Sequence, residues 1–249
     1  MDIRTTASTP SGVVLEDAQS RRSLRYPGIT HVIFDLDGTL LDTETVYEEV
    51  YSQVCRRFGK QYSLDVRMRH VGTSEKDTAR IITTMLNLPI SQEEFIQLSN
   101  AELQGRITQC ALMPGVDRLL RHFTMHEVPM AMATSNPYPH MDAKLTNYPE
   151  VRLAFHHIVC GGTDPEVKMG KPAPDIFLVA ASRFPGKPQP AQVLVFEDSV
   201  AGVKGAIAAG MHVVAVPDRT VPHDTLSGAT IILDSLAHFH PELFGFPPF

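Results

Sequence analysis

Two apolar runs in this chain end in paired acids, and that pairing restricts the fold more than any other feature. Residues 31–44 read HVIFDLDGTLLDTE, and residues 193–202 read VLVFEDSVAG. In each, a stretch that belongs in a core stops at carboxylates that resist burial and repel one another. Such acids are tolerable where a strand ends at a crevice. The carboxyl edge of an open parallel sheet is such a place, because loops and helix N-termini converge there. Asp35 and Asp37 stand at i and i+2, so on a continuing strand both point into the same space. A cation would neutralise them, and oxygen-only ligation suits Mg²⁺. Each stretch also has a plainer reading. DLDGT can be a surface turn with solvated acids, and Asp198 or Ser199 can be a helix N-cap.

The rest of the chain supplies the sheet that this argument needs. Short apolar runs at 32–34, 128–133, 158–160, 193–196 and 213–216 read as buried strands. Helical patterns separate the later ones, over 114–126, 174–184 and 200–209, the last stopped by Gly210. Strand alternating with helix predicts an α/β fold with a parallel sheet covered on both faces. One interval breaks the rhythm. Residues 45–111 show no strand pattern and read as helices over 46–58, 76–86 and 92–109, with Ser91 as an N-cap. They form a small helical unit inserted into a core made of 29–44 and 112–249. Residues 1–28, rich in Ser, Thr and Arg, read as a flexible tail.

Charge and composition exclude several classes. The net charge of −6 gives no nucleic-acid surface, and no apolar run approaches the length of a membrane span. Asp2 and the lack of an apolar leader argue against secretion. Cys55, Cys110 and Cys160 are far apart, which points to a reducing compartment, and the cytoplasm is the expected location. No HExxH pattern marks a zinc site. A monomer is the default expectation.

Two further stretches carry polar groups suited to an anion. Residues 130–136, MAMATSN, end a buried strand in Thr134, Ser135 and Asn136. A hydroxyl beside backbone N–H groups is what a phosphate oxygen requires, although Ser and Thr end many strands. Residues 170–175, GKPAPD, put Lys171 before a proline-stiffened helix start, where its ammonium can reach inward or simply be solvated.

Taken together, DLDGT, ATSN, GKPAPD and FEDSVAG, in that order, resemble the haloacid dehalogenase superfamily of phosphotransferases. The resemblance implies a Rossmann-like parallel core with an α-helical cap inserted after the first strand. It also implies roles. Asp35 would be the nucleophile that forms an aspartyl-phosphate, and Asp37 the acid and base. Thr134, Ser135, Asn136 and Gly38 would bind the phosphoryl group, and Lys171 would balance its charge. Mg²⁺ would be held by Asp35, the Asp37 carbonyl and Asp198, with Glu197 as a ligand or as a support. The cap loop over 70–76, HVGTSEK, would offer Gly72 and Thr73 to the substrate, unless it is only a connection between helices. The segments near 42–45 and 111–114 would be the hinge. Within the superfamily, DPEVKMGKPAPDIF and LVFEDSVAGVKGAIAAGM resemble the pseudouridine-5′-phosphatase-like branch. The expected activity is Mg²⁺-dependent hydrolysis of a small phosphorylated metabolite, with pseudouridine 5′-phosphate a candidate. The alternatives are a sugar phosphomutase of the β-phosphoglucomutase kind and a binding protein that keeps the fold without catalysis.

Overall fold

The computed structural model describes residues 26, 28–70 and 75–249. Six parallel strands form one sheet: β1 (His31–Phe34), β2 (Met130–Thr134), β3 (His157–Cys160), β4 (Val193–Glu197), β5 (His212–Ala215) and β6 (Ile231–Ile232). Their order is β3-β2-β1-β4-β5-β6, so β1 lies between β2 and β4. The register pairs Phe34 with Met132 on one side and with Phe196 on the other.

The period-2 alternation of the strands divides the core into two layers. Val32, Phe34, Met130, Met132, Leu194 and Phe196 face one way, and Phe34 stacks on Phe196. Helix α5 (Val116–Met125) covers this face with Val116, Leu119, Leu120 and Phe123, helped by the C-terminal segment around Phe239 and Phe244. Ile33, Ala131, Ala133, Val193 and Val195 face the other way. The smaller side chains there let α8 (Asp175–Ser182) and α9 (Val200–Ala208) pack closely through Ile176, Phe177, Ala180, Val203 and Ala206. Tyr26 belongs to the first layer, stacked on Phe244 with its N–H on the Leu243 carbonyl at 2.8 Å.

Between β1 and α5 the described residues build four α-helices: α1 (Thr43–Arg57), α2 (Leu64–His70), α3 (Glu75–Met85) and α4 (Gln92–Gln104). They enclose an apolar cluster of their own, with Val54, Val66, Ile82 and Phe95 at its centre. Asp42 caps α1, accepting from the Thr45 N–H and hydroxyl, and Ser91 caps α4 through the Glu94 N–H. The two crossings between this insert and the sheet lie side by side, tied by Asp42 N–H to Ala111 O and Met113 N–H to Leu40 O. Away from the crossings, Arg67 on α2 pairs with Asp218, in the loop after β5, at 2.9 Å.

Several elements differ from the sequence expectations. The helix expected over 92–109 stops at Gln104, because Gly105 ends it, and a single 3-10 turn follows over Ile107–Gln109. Strand β2 begins at Met130 rather than 128. Helices α2, α6 (Tyr138–Lys144) and α7 (Pro149–Leu153), and strand β6, were not expected. Apart from Tyr26 and Gly28, the expected N-terminal tail lies outside the described residues.

Candidate active site

The strand-end acids and the distant lysine meet at the carboxyl edge of β1, β2 and β4. Asp35 follows the last residue of β1, and its N–H still bonds the Phe196 carbonyl of β4 at 3.0 Å. Glu197 ends β4 and is fully buried. Lys171 reaches between them from the loop before α8. Its Nζ donates to Asp35 Oδ1 at 2.5 Å, to Glu197 Oε1 at 2.6 Å and to the Ala133 carbonyl at 3.0 Å. An ammonium has three protons, so this lysine is fully used.

Glu197 is equally committed. Its Oε2 accepts from the N–H of Asp198, the N–H of Ser199 and the Ser199 hydroxyl, each at 3.0 Å. Of the two expectations for Glu197, ligand or support, this bonding fits the support. Ser199 also caps α9 through the Gly202 N–H, as its position after the strand suggests. Gly202 is required there: a Cβ on it would lie 1.7 Å from Glu197 Oε1. Gly38 is required for a similar reason, since its φ is +72° and a Cβ would lie 2.1 Å from Asp198 Oδ2.

Thr134 ends β2 and is fully buried. Its hydroxyl accepts from Asn136 N–H at 3.2 Å and Asn136 Nδ2 at 2.7 Å. Asn136, expected at the phosphate, also bonds within the protein: Nδ2 donates to Asp37 Oδ2, and its Oδ1 accepts from Lys144. Ser135 is exposed at the mouth of the crevice. Lys144, at the end of α6, donates to Asp37 Oδ1 and is buried. It was not singled out from the sequence. The available signal was its place beside Met141 and Leu145, a lone cation on the apolar face of a short helix. Gly72 and Thr73 lie outside the described residues, as does most of the expected cap loop.

The electrostatics of the crevice are unbalanced toward negative charge. Asp35, Asp37, Glu44, Glu197 and Asp198 gather around two lysines, while Arg67 stands 4.0 Å from Glu44. Burial, and then the Glu197 and Asp37 charges, push Asp35 up to about 7 against the pull of Lys171. Burial, Glu197, Asp35 and Glu44 push Asp198 well above the usual carboxylate range. Burial works against the Lys171 charge, yet Asp35 and Glu197 outweigh it and raise its ionisation above the ordinary lysine value.

A cation fits this deficit. Among the described residues no donor reaches Asp35 Oδ2 or the Asp198 carboxylate, and no three His, Cys, Asp or Glu side chains cluster as a metal cage. Two free carboxylates with room for water suit Mg²⁺, which keeps several waters in its shell. A cleft of about 190 Å³ opens beside Asp198, between Glu44 and Met68 of the insert and Ser199, Asp218 and Thr220 of the core.

Known proteins share this arrangement of chain. A family model described as haloacid dehalogenase-like hydrolase matches residues 29–210. A Drosophila melanogaster protein named "Probable pseudouridine-5'-phosphatase" is 43% identical over 221 residues, covering 89% of this chain and 96% of that one. The (DL)-glycerol-3-phosphatase 2 of Arabidopsis thaliana is 42% identical over 224 residues, covering 89% and 93%. A solved HAD family hydrolase from Deinococcus radiodurans aligns with a TM-score of 0.74 over 88% of this chain and 99% of that one. Its 22% identity makes it a likeness of fold alone.

Proposed function

The chain belongs to the haloacid dehalogenase-like hydrolases and is a phosphatase, and on that premise we propose that it cleaves phosphomonoesters by way of a phosphorylated Asp35 with Mg²⁺ as cofactor. The observation that carries the proposal is the bonding of Lys171. It clamps Asp35 Oδ1 to Glu197 and leaves Asp35 Oδ2 facing the crevice without a protein donor among the described residues.

In the first half of the reaction Asp35 attacks phosphorus and the ester oxygen leaves with a proton from Asp37. In the second half Asp37 takes a proton from water as the water oxygen attacks the same phosphorus. Phosphate departs and Asp35 is restored. Phosphoryl transfer is mainly positioning and charge stabilisation, and a carboxylate nucleophile divides it into two easier displacements. Thr134 and the Ser135 backbone hold the transferring group at the end of β2. Lys171 stabilises charge on Asp35 and the phosphoryl oxygens, and Glu197 keeps Lys171 in place. Asp35, Asp198 and the Asp37 carbonyl would hold Mg²⁺, which would supply charge neutralisation between the anionic nucleophile and the anionic ester. Helices α1–α4 serve as the cap, and the paired segments near residues 42 and 111 are its hinge. Closure would exclude water from the transfer.

The substrate is a small phosphorylated metabolite, and pseudouridine 5′-phosphate is one candidate. The relatives named for pseudouridine 5′-phosphate and for glycerol 3-phosphate stand within one percentage point of each other in identity, so glycerol phosphate ranks beside it. Phosphate release with Mg²⁺ across pseudouridine 5′-phosphate, uridine 5′-phosphate, glycerol phosphate and hexose phosphates tests the reading. Preference for one ester supports a metabolite phosphatase. A chain that isomerises a hexose phosphate faster than it releases phosphate is a mutase, and the hydrolytic reading falls.

A further inference from the structure

Asp37 is gripped at both carboxylate oxygens. Lys144 Nζ donates to Oδ1 and Asn136 Nδ2 donates to Oδ2. The two donors also hold each other, Lys144 Nζ reaching Asn136 Oδ1 at 3.2 Å. Asn136 is fixed in turn by its 2.7 Å bond to the Thr134 hydroxyl. Both acceptor positions on Asp37 are therefore defined by side chains whose own places are defined.

Lys144 is the unexpected member. Its side chain is 2% exposed, whereas that of Asp37 is 30% exposed. Burying an ammonium is costly, and an apolar side chain beside Met141 and Leu145 would fill the site more cheaply. The ring of Tyr47, from α1 of the insert, lies 5.9 Å from Nζ. This lysine is not the one that serves the nucleophile. Lys171 spends its three protons on Asp35, Glu197 and Ala133, and Lys144 faces the second acid.

We propose that Lys144 is a positioning residue for Asp37: with Asn136, it holds the carboxyl group in the orientation that delivers a proton to the leaving oxygen. The proposal rests on the reading of Asp37 as acid and base. Each carboxylate oxygen has a second lone pair, and the transferred proton sits on one of these, away from the two donors. As the phosphorus–oxygen bond of the ester breaks, that proton moves to the departing oxygen. Asp37 is left anionic between an ammonium and an amide already aimed at its oxygens, so no group has to reorient as the charge forms. Lys144 acts through Asp37 and does not itself touch the ester.

The leaving group provides the test. An alkyl phosphate departs as an alkoxide and needs the proton, whereas p-nitrophenyl phosphate departs as a stable phenolate and scarcely needs it. The experiment compares kcat/KM for p-nitrophenyl phosphate and for the best alkyl phosphate, in the parent, Lys144→Met, Asp37→Asn and the double variant. Lys144→Met should cost roughly 100-fold on the alkyl phosphate and less than about five-fold on p-nitrophenyl phosphate, given the usual contribution of a general acid. In the Asp37→Asn background Lys144→Met should cost nothing more, because residues that act as a unit are not additive. The ratio of the two substrates on one preparation is independent of how much of the variant folds. Equal losses on both esters, or additive losses in the double variant, overturn the role of Lys144 while the hydrolase reading stands. A parent chain that hydrolyses neither ester overturns the hydrolase reading, and the role of Lys144 with it.

Discussion

Gly202→Ala should destabilise this protein although it replaces glycine by the best helix former inside a helix. In an exposed helix the change gains up to about 1 kcal/mol. Here the new Cβ would meet Glu197 Oε1 at 1.7 Å and Cδ at 1.8 Å. Glu197 would have to retreat by roughly 1.3 Å to reach tolerable contact. It is fully buried at the end of β4, so it can retreat only by abandoning Lys171 or the three donors on Oε2. Breaking a buried charge pair costs about 3–5 kcal/mol. Against a gain of about 1 kcal/mol from helix propensity, the net loss is about 2–4 kcal/mol. At about 2–4 °C per kcal/mol for a chain of this size, Tm should fall by roughly 5–15 °C. Thermal unfolding followed by circular dichroism reads the loss. Phosphate release should fall as well, because the displaced carboxylate no longer holds Lys171 against Asp35. An unchanged or raised Tm would show that α9 and Glu197 do not approach this closely, and the account of Lys171 would lose its anchor.

Other outcomes follow from the same geometry. Arg183 forms a paired ion bridge to Asp164, which bonding to Arg183 holds below the usual carboxylate range. A lowered value contributes stability that is complete above the ordinary carboxylate range and is lost as pH falls below that range, through the lowered value. Arg183→Met should therefore cost about 1 kcal/mol at pH 7, given its partial exposure, and markedly less at pH 3, as read by urea unfolding. Mg²⁺ should raise Tm, by the equivalent of about 2.7 kcal/mol at one hundred times its dissociation constant. Because Asp35 and Asp198 are pushed upward, protons compete with the ion, so the rise should be larger at pH 8 than at pH 5. Chelation should abolish both the rise and phosphate release, and Asp198→Asn should abolish the rise. A Tm indifferent to Mg²⁺ at pH 8 would count against the proposed cation site.

What was legible in the sequence followed burial. Strands β1 to β5 are apolar on both faces, and that continuity identifies them without any tertiary information. Strand β6 has only Ile231 and Ile232, too short to show a period. Helices α2, α6 and α7 span seven, seven and five residues, less than two turns each, and hold their shape through packing. The site showed the same division. Asp35, Asp37, Glu197, Asp198, Thr134 and Lys171 lie on strand ends or beside prolines, where residue type and position constrain each other. The detail was legible only in three dimensions. Asn136 follows Thr134 in sequence, but its bonds to the Thr134 hydroxyl and to Asp37 appear only in the folded chain. Lys144 is separated from Asp37 by 107 residues and meets it only in the folded chain.

A phosphorylated Asp35 is the species that the proposed reaction cannot do without. Mass spectrometry of protein quenched with acid during turnover should find a phosphoryl group on the peptide that carries Asp35. The label should be lost on hydroxylamine treatment and absent from Asp35→Asn, which should also release no phosphate. Phosphate release by Asp35→Asn at the parent rate, or a label on another residue, would contradict the assignment of Asp35 as nucleophile.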